Sequence, residues 1–234
     1  IPCGVLAGVT AGYLILSATF GAAAAEASVR IWGFRGPLGA FICAWGGIAM
    51  LVSAPFDDWW HNAYGLDVKI ISPPHMVLGL GIGVIRVGAL ILILGYMNRA
   101  AGEERRKWSR LFLYVGSLFV VGALVLVMEH TIRSYMHSAH FYRVVALSVP
   151  FVLAAISRAS GHRWAATIMA AVYSAFLLAL VWILPLFAAE PKLGPVFQPV
   201  RHFIPPEFPL LVIVPALALD WLWSRIGGWN RWAQ

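Results

Sequence analysis

The sequence predicts an all-α, polytopic integral membrane protein: a helical bundle of about seven transmembrane helices forming one domain over residues 1–234. Three observations carry that expectation. Of the 234 residues, 61% are apolar. Only 12% are charged, about half the share of a soluble domain. The apolar residues also fall in uninterrupted blocks rather than at amphipathic spacing, so the bilayer is the solvent the chain is written for.

A helix needs about 20 apolar residues to cross roughly 30 Å of hydrocarbon. Seven segments meet that length, near 2–25, 37–56, 75–97, 109–129, 141–157, 163–188 and 207–226. The first begins almost at once and the first residue is not Met, which points to a missing N-terminus or a cleaved signal peptide. The third opens on Ser72-Pro73-Pro74, where proline suits a first turn because its missing N–H is not needed there. Gly79 and Gly83 give that span a GxxxG face for close helix packing. Before the fourth, Glu103, Glu104, Arg105, Arg106 and Lys107 form a charged loop in water, within reach of lipid headgroups. The fifth is short and is expected to start earlier, near His137. Pro185 and Pro215 are expected to kink the sixth and seventh.

The basic residues assign sides. Arg30, Arg35, Arg99, Arg105, Arg106, Lys107, Arg110, Arg158, Arg163, Arg225 and Arg231 fall on one face, and Lys69, Arg133, Arg143, Lys192 and Arg201 on the other. By the positive-inside rule the first face is cytoplasmic, giving an N-out, C-in protein. The setting expected is a bacterial inner membrane with the histidine-rich face outside, in the periplasm. The net charge of +7 is spent on orientation, so no nucleic-acid partner is implied. Cys3 and Cys43 form neither a disulfide framework nor a CxxC metal motif.

That orientation gathers His61, His75, His130, His137, His140 and His202 at the outer face, with Asp57, Asp58, Asp67, Glu129, Glu190 and Glu207. Imidazole and carboxylate at one boundary are the usual ingredients of a metal site. Asp57 and His61 stand four residues apart, so a second helix continuing through them presents both on one side. His75, in the first turn of the third helix, lies at the same depth as His61. One Asp and two His suit copper, zinc or non-haem iron. The competing reading makes Asp57 and Asp58 markers of the water interface and His61 a member of a belt with Trp59, Trp60 and Tyr64.

Asp57-x-x-x-His61, with Trp60 before the histidine, Asp67 six residues after it and Ser72-Pro73-x-His75, resembles the metal-binding segment in the copper-site subunit of the copper membrane monooxygenases, the ammonia and particulate methane monooxygenases. The resemblance covers about 20 of the 234 residues, and His61 and His75 are two residues further apart than in the family. It implies copper held by Asp57, His61 and His75, oxidation of a small substrate with O2, and other membrane subunits in a hetero-oligomer.

A second cluster, Glu129, His130, His137 and His140, lies in the next outer loop but lacks the family's Asn-x-x-x-His pattern. It completes the first site, forms another, or is interfacial. Glu207 and His202 in the third outer loop are open to the same readings, and an acid in a first turn is favoured by the helix dipole alone. Charges inside a span are costly, and Arg86 and Asp220, at similar estimated depth, are expected to pair as a structural ion pair. Asp220 nearer the cytoplasmic boundary, with Arg86 paired to another subunit, is the alternative. Two further function classes remain beside the metal-binding one: a haem- or quinone-binding membrane subunit, and a non-catalytic structural subunit of a larger membrane complex.

Overall fold

The computed structural model describes residues 2–21, 28–65, 71–127, 130–131, 133–190, 200–205 and 211–226. It is an all-α membrane fold: seven helices, six of them long and apolar enough to cross a bilayer, and one two-stranded hairpin among the described residues. The chain forms two compact units, Ile1–Gly122 and Ala123–Gln234.

In the first unit α1 (Pro2–Phe20) leads to a hairpin of β1 (Val29–Ile31) and β2 (Phe34–Gly36), which the block pattern of the sequence did not predict. Its two-residue turn holds Trp32 at φ 50° and Gly33 at φ 90°. Positive φ at both central positions is what a tight hairpin turn of this hand requires, and glycine takes the more extreme value without strain. Thr19 ties the hairpin to α1, its hydroxyl accepting the Arg35 N–H at 2.8 Å. Below it Ala11, Ile15, Ala40, Phe41 and Cys43 form a buried apolar cluster.

Helices α2 (Leu38–Tyr64) and α3 (Pro73–Arg99) are 27 residues each, about 40 Å, so both outrun the hydrocarbon. They run antiparallel and interlock on glycine. A Cβ on Gly39 would strike the Gly88 carbonyl, and one on Gly46 would stand 2.7 Å from the Gly81 carbonyl. The spacing of seven on both helices keeps these four positions on the shared seam. Gly47, next to Gly46, faces the other way and meets the Gly4 carbonyl and Gly8 of α1. The expected Gly79/Gly83 packing face is therefore corrected: Gly81 and Gly88 make the close approach, while the Gly83 position has nothing within 4 Å.

α4 (Gly102–Leu126) starts earlier than expected. Glu103 to Lys107 are its first turns, not a loop. Two acids at the N-terminal end of the helix dipole favour that extension. Trp108 stacks on Tyr96 with ring centroids 4.9 Å apart, and Arg99 lies over the same tyrosine.

In the second unit α5 (Ala139–Ser160), α6 (Ala165–Ile183) and α7 (Ile213–Arg225) pack on one another. Ser138 caps α5, its hydroxyl accepting from the Phe141 N–H at 3.1 Å, which accounts for the earlier start of this helix. Pro185 ends α6 in a single 3-10 turn rather than kinking it. Pro215 sits in the first turn of α7, where it costs no hydrogen bond. The described part of α7 is 13 residues, shorter than a span, and residues 206–210 ahead of it lie outside the described residues. Tightly buried small residues, Ala165, Ala166, Ala170 and Ala216, bring α6 and α7 together.

Candidate metal-binding site at the end of helices α2 and α3

Helix α2 continues unbroken past Pro55 for more than two turns, carrying Asp57 and His61 beyond the apolar part of the span. Ser72 stands at the N-cap of α3 with proline following, so His75 falls in the first turn. The antiparallel glycine seam sets the C-terminal end of α2 beside this turn. The result is a convergence on one atom. Asp57 Oδ1 lies 3.8 Å from His61 Nε2 and 3.6 Å from His75 Nε2.

All three side chains are about one-third exposed, yet Asp57 Oδ1 and His61 Nε2 are themselves buried. The polar tips point inward while the ring and methylene surfaces face out. Asp57 Oδ1 accepts no hydrogen bond. Along the same end of α2, Phe56, Trp59, Trp60 and Tyr64 form a continuous aromatic group, with Trp60 and Tyr64 rings 4.5 Å apart. Such a group is what an interfacial belt supplies.

Two ligands of one tetrahedral ion are about 3.3 Å apart when each is 2.0–2.1 Å from the metal. The Asp57–His separations exceed that by a few tenths of an ångström. Among the described residues no group of three His, Cys, Asp or Glu side chains stands ready to hold a metal ion in its present rotamers. Donor chemistry therefore fits a borderline metal, and the spacing requires the imidazoles to close in. Ser72 Oγ, buried and 6% exposed, also has no hydrogen-bond partner. The Ser-Pro-Pro run marks this helix start in the sequence; the burial of the hydroxyl could be seen only in the fold.

The second cluster is split. His130 and His140 meet, Nδ1 to Nε2 at 3.0 Å, with Tyr135 against His140. His137, held at φ 66°, turns instead to the Tyr142 hydroxyl at 3.1 Å. Glu129 lies outside the described residues, as do Asp67 and Glu207. His202 sits on a short antiparallel bridge with Ala188, its neighbour Arg201 accepting the Ala189 N–H through its carbonyl. Glu190 is exposed at the end of the same segment.

Asp220 has a role that sequence reasoning missed. It is 1% exposed, and its carboxylate accepts the N–H of Ala166 at 3.3 Å, the N–H of Thr167 at 2.8 Å and the Thr167 hydroxyl at 2.7 Å. These are the orphan donors of the first turn of α6, whose own N-cap, Trp164, has no side chain to offer. A carboxylate from another helix thus supplies the cap, at the positive end of the dipole. That puts Asp220 at the start of α6. Arg86 lies in the first unit, its guanidinium directly over Gly122 of α4, where a Cβ could not coexist with it. The Asp220 carboxylate is thus satisfied within the second unit, and Arg86 lies against Gly122 within the first.

Comparison with protein-family models, with curated proteins and with solved structures finds no match. The class of the molecule, a helical integral membrane protein, follows from its own spans and burial.

Proposed function

We propose that the chain is the metal-binding subunit of a membrane complex, holding copper through Asp57, His61 and His75 at the face where α2 ends and α3 begins. The observation that carries this reading is the convergence of two imidazole nitrogens on a buried carboxylate oxygen that accepts no hydrogen bond. Ligands on two helices locked by a glycine seam are pre-positioned, so binding needs side-chain rotation and no backbone movement. One mixed oxygen and nitrogen donor set of this kind accommodates copper, zinc or iron, and the likeness of residues 57–75 to the monooxygenase segment favours copper. In that role the ion, when bound, would supply O2 activation for oxidation of a small substrate. This chain's residues would hold the ion. Partner subunits belong to the proposal, as does a periplasmic location for this face in a bacterial inner membrane.

The test is metal analysis with a visible spectrum on the detergent-purified chain, beside the His61→Ala, His75→Ala double variant. Near-stoichiometric copper that disappears in the variant is the expected result. Metal-free protein after copper loading sinks the reading and leaves a structural subunit. A Soret band would move the function to haem.

A further inference from the structure

The hairpin of β1 and β2 holds two like charges together. Arg30 and Arg35 are directly opposed in its register, so their side chains leave the same face, with Cβ atoms about 5 Å apart. Both are exposed. The other face turns to the bundle: Ile31 packs on the buried apolar cluster, and a Cβ on Gly36 would stand 3.1 Å from Ile15 and 3.3 Å from Phe41. Alternation along the strands therefore leaves both arginines on the outer face. Like charges directly opposite each other weaken a hairpin. The fold nonetheless pins this pair, because the Thr19 hydroxyl accepts the Arg35 N–H at 2.8 Å and donates to the Arg35 carbonyl at 3.1 Å.

Depth follows from the helices that the hairpin joins. Thr19 is the last residue but one of α1 and Leu38 starts α2, so with both helices crossing the bilayer the arginines stand at its boundary, where headgroups lie. The turn folds back along α2 instead of projecting away from it: the Trp32 ring lies 5.3 Å from that of Trp45, which is about 10 Å into the helix. Both rings are exposed, at 80% and 51%. Tryptophan is the residue that favours this level of a bilayer, its ring among the upper chains and its N–H toward the headgroups.

We infer that the hairpin binds an anionic phospholipid, with Arg30 and Arg35 on the headgroup phosphate and the Trp32 and Trp45 rings against the glycerol and upper chain. Charge complementarity selects this occupant. Guanidinium forks match phosphate oxygens two at a time, and an anion between the two arginines turns their mutual repulsion into attraction. A zwitterionic lipid offers the same phosphate but brings an ammonium with it, so the site selects net negative charge. A soluble anion has no use for the tryptophans. This inference does not depend on the metal reading.

Native mass spectrometry of the full chain in neutral detergent, with phosphatidylglycerol and phosphatidylcholine of the same acyl chains in competition, reads the preference directly. Phosphatidylglycerol should bind about tenfold more tightly. Arg30→Gln with Arg35→Gln should abolish that preference. Arg35→Glu should abolish it without lowering the unfolding temperature, because it replaces a like-charge pair by a cross-strand ion pair. Arg105→Gln with Arg106→Gln, the same loss of charge elsewhere, should keep it. A preference that survives the Arg30, Arg35 double variant overturns the inference. So does an equal loss on changing Arg105 and Arg106, which makes the preference one of overall charge. Glycerol phosphate competing as strongly as phosphatidylglycerol overturns it by assigning the arginines to a soluble anion. A preference that appears only on Glu26→Gln overturns it too, by giving the arginines an acid of the chain's own.

Discussion

Asp220 closes the N-terminus of α6 from α7, with its Oδ2 accepting both the backbone N–H and the hydroxyl of Thr167. The bond joins residues 53 positions apart. It turns the costliest kind of buried group into a clamp, because a helix N-terminus offers the donors and the partial positive charge that a carboxylate lacks inside a protein. Removing it should be expensive. Asp220→Ala strands the buried N–H of Ala166 and the part-buried N–H of Thr167 and should lower stability by about 1–3 kcal/mol, read as thermal unfolding in detergent. Asp220→Asn keeps an acceptor and should lose less. An alanine variant as stable as the parent would show that the cap is idle.

The glycine seam makes a sharper contrast. Gly46→Leu or Gly81→Leu forces side-chain atoms into the backbone of the facing helix and should cost about 1–3 kcal/mol or prevent folding. Gly83→Ala, on open space, should be within about 0.5 kcal/mol of the parent. Because the seam also sets the end of α2 against the start of α3, a surviving seam variant should lose the copper uptake that the proposed function predicts, while Gly83→Ala should keep it. Equal effects at Gly81 and Gly83 would return the packing face to the GxxxG pair.

Ser72 offers a test in the opposite direction. A buried hydroxyl without a partner is a liability, so Ser72→Ala should leave the metal-free protein unchanged or stabilise it by up to about 1 kcal/mol. Loss of stability on that change, measured by the same unfolding transition, would mean that the hydroxyl is satisfied after all.

In the hairpin, Gly33 at φ 90° has open space around it. Any cost of Gly33→Val is therefore conformational and not steric crowding by neighbours. About 1–3 kcal/mol is expected, with Gly33→Asn milder because asparagine tolerates positive φ. Identical unfolding midpoints for the two variants would argue against strain at the turn.

Much of this was legible in the residues. Long apolar blocks fix helices and their approximate ends, since a span must satisfy its own backbone and must reach from one interface to the other. The Asp57, His61 and His75 grouping was legible too, because i, i+4 spacing and a proline-marked helix start are local rules. Glu103 to Lys107 were misjudged as loop, because charge is equally at home in a solvated first turn. The hairpin at 29–36 was missed because six strand residues carry no alternation long enough to register. At Gly79, Gly81 and Gly83, the motif named the wrong pair: which glycines face a neighbour depends on helix rotation, and that is set by Gly39 and Gly46 on another helix.

By itself, then, the sequence determined that this is a helical membrane protein and which end of α2 and α3 concentrates imidazole and carboxylate, since hydropathy and short-range spacing are properties of one segment at a time. Only the tertiary structure decided that both histidines close on a single oxygen of Asp57, that Asp220 serves the first turn of α6, and that Arg86 rests on Gly122. Those are relations between segments far apart in the chain. They follow from how helices rotate and cross when their small residues meet, which no local pattern encodes.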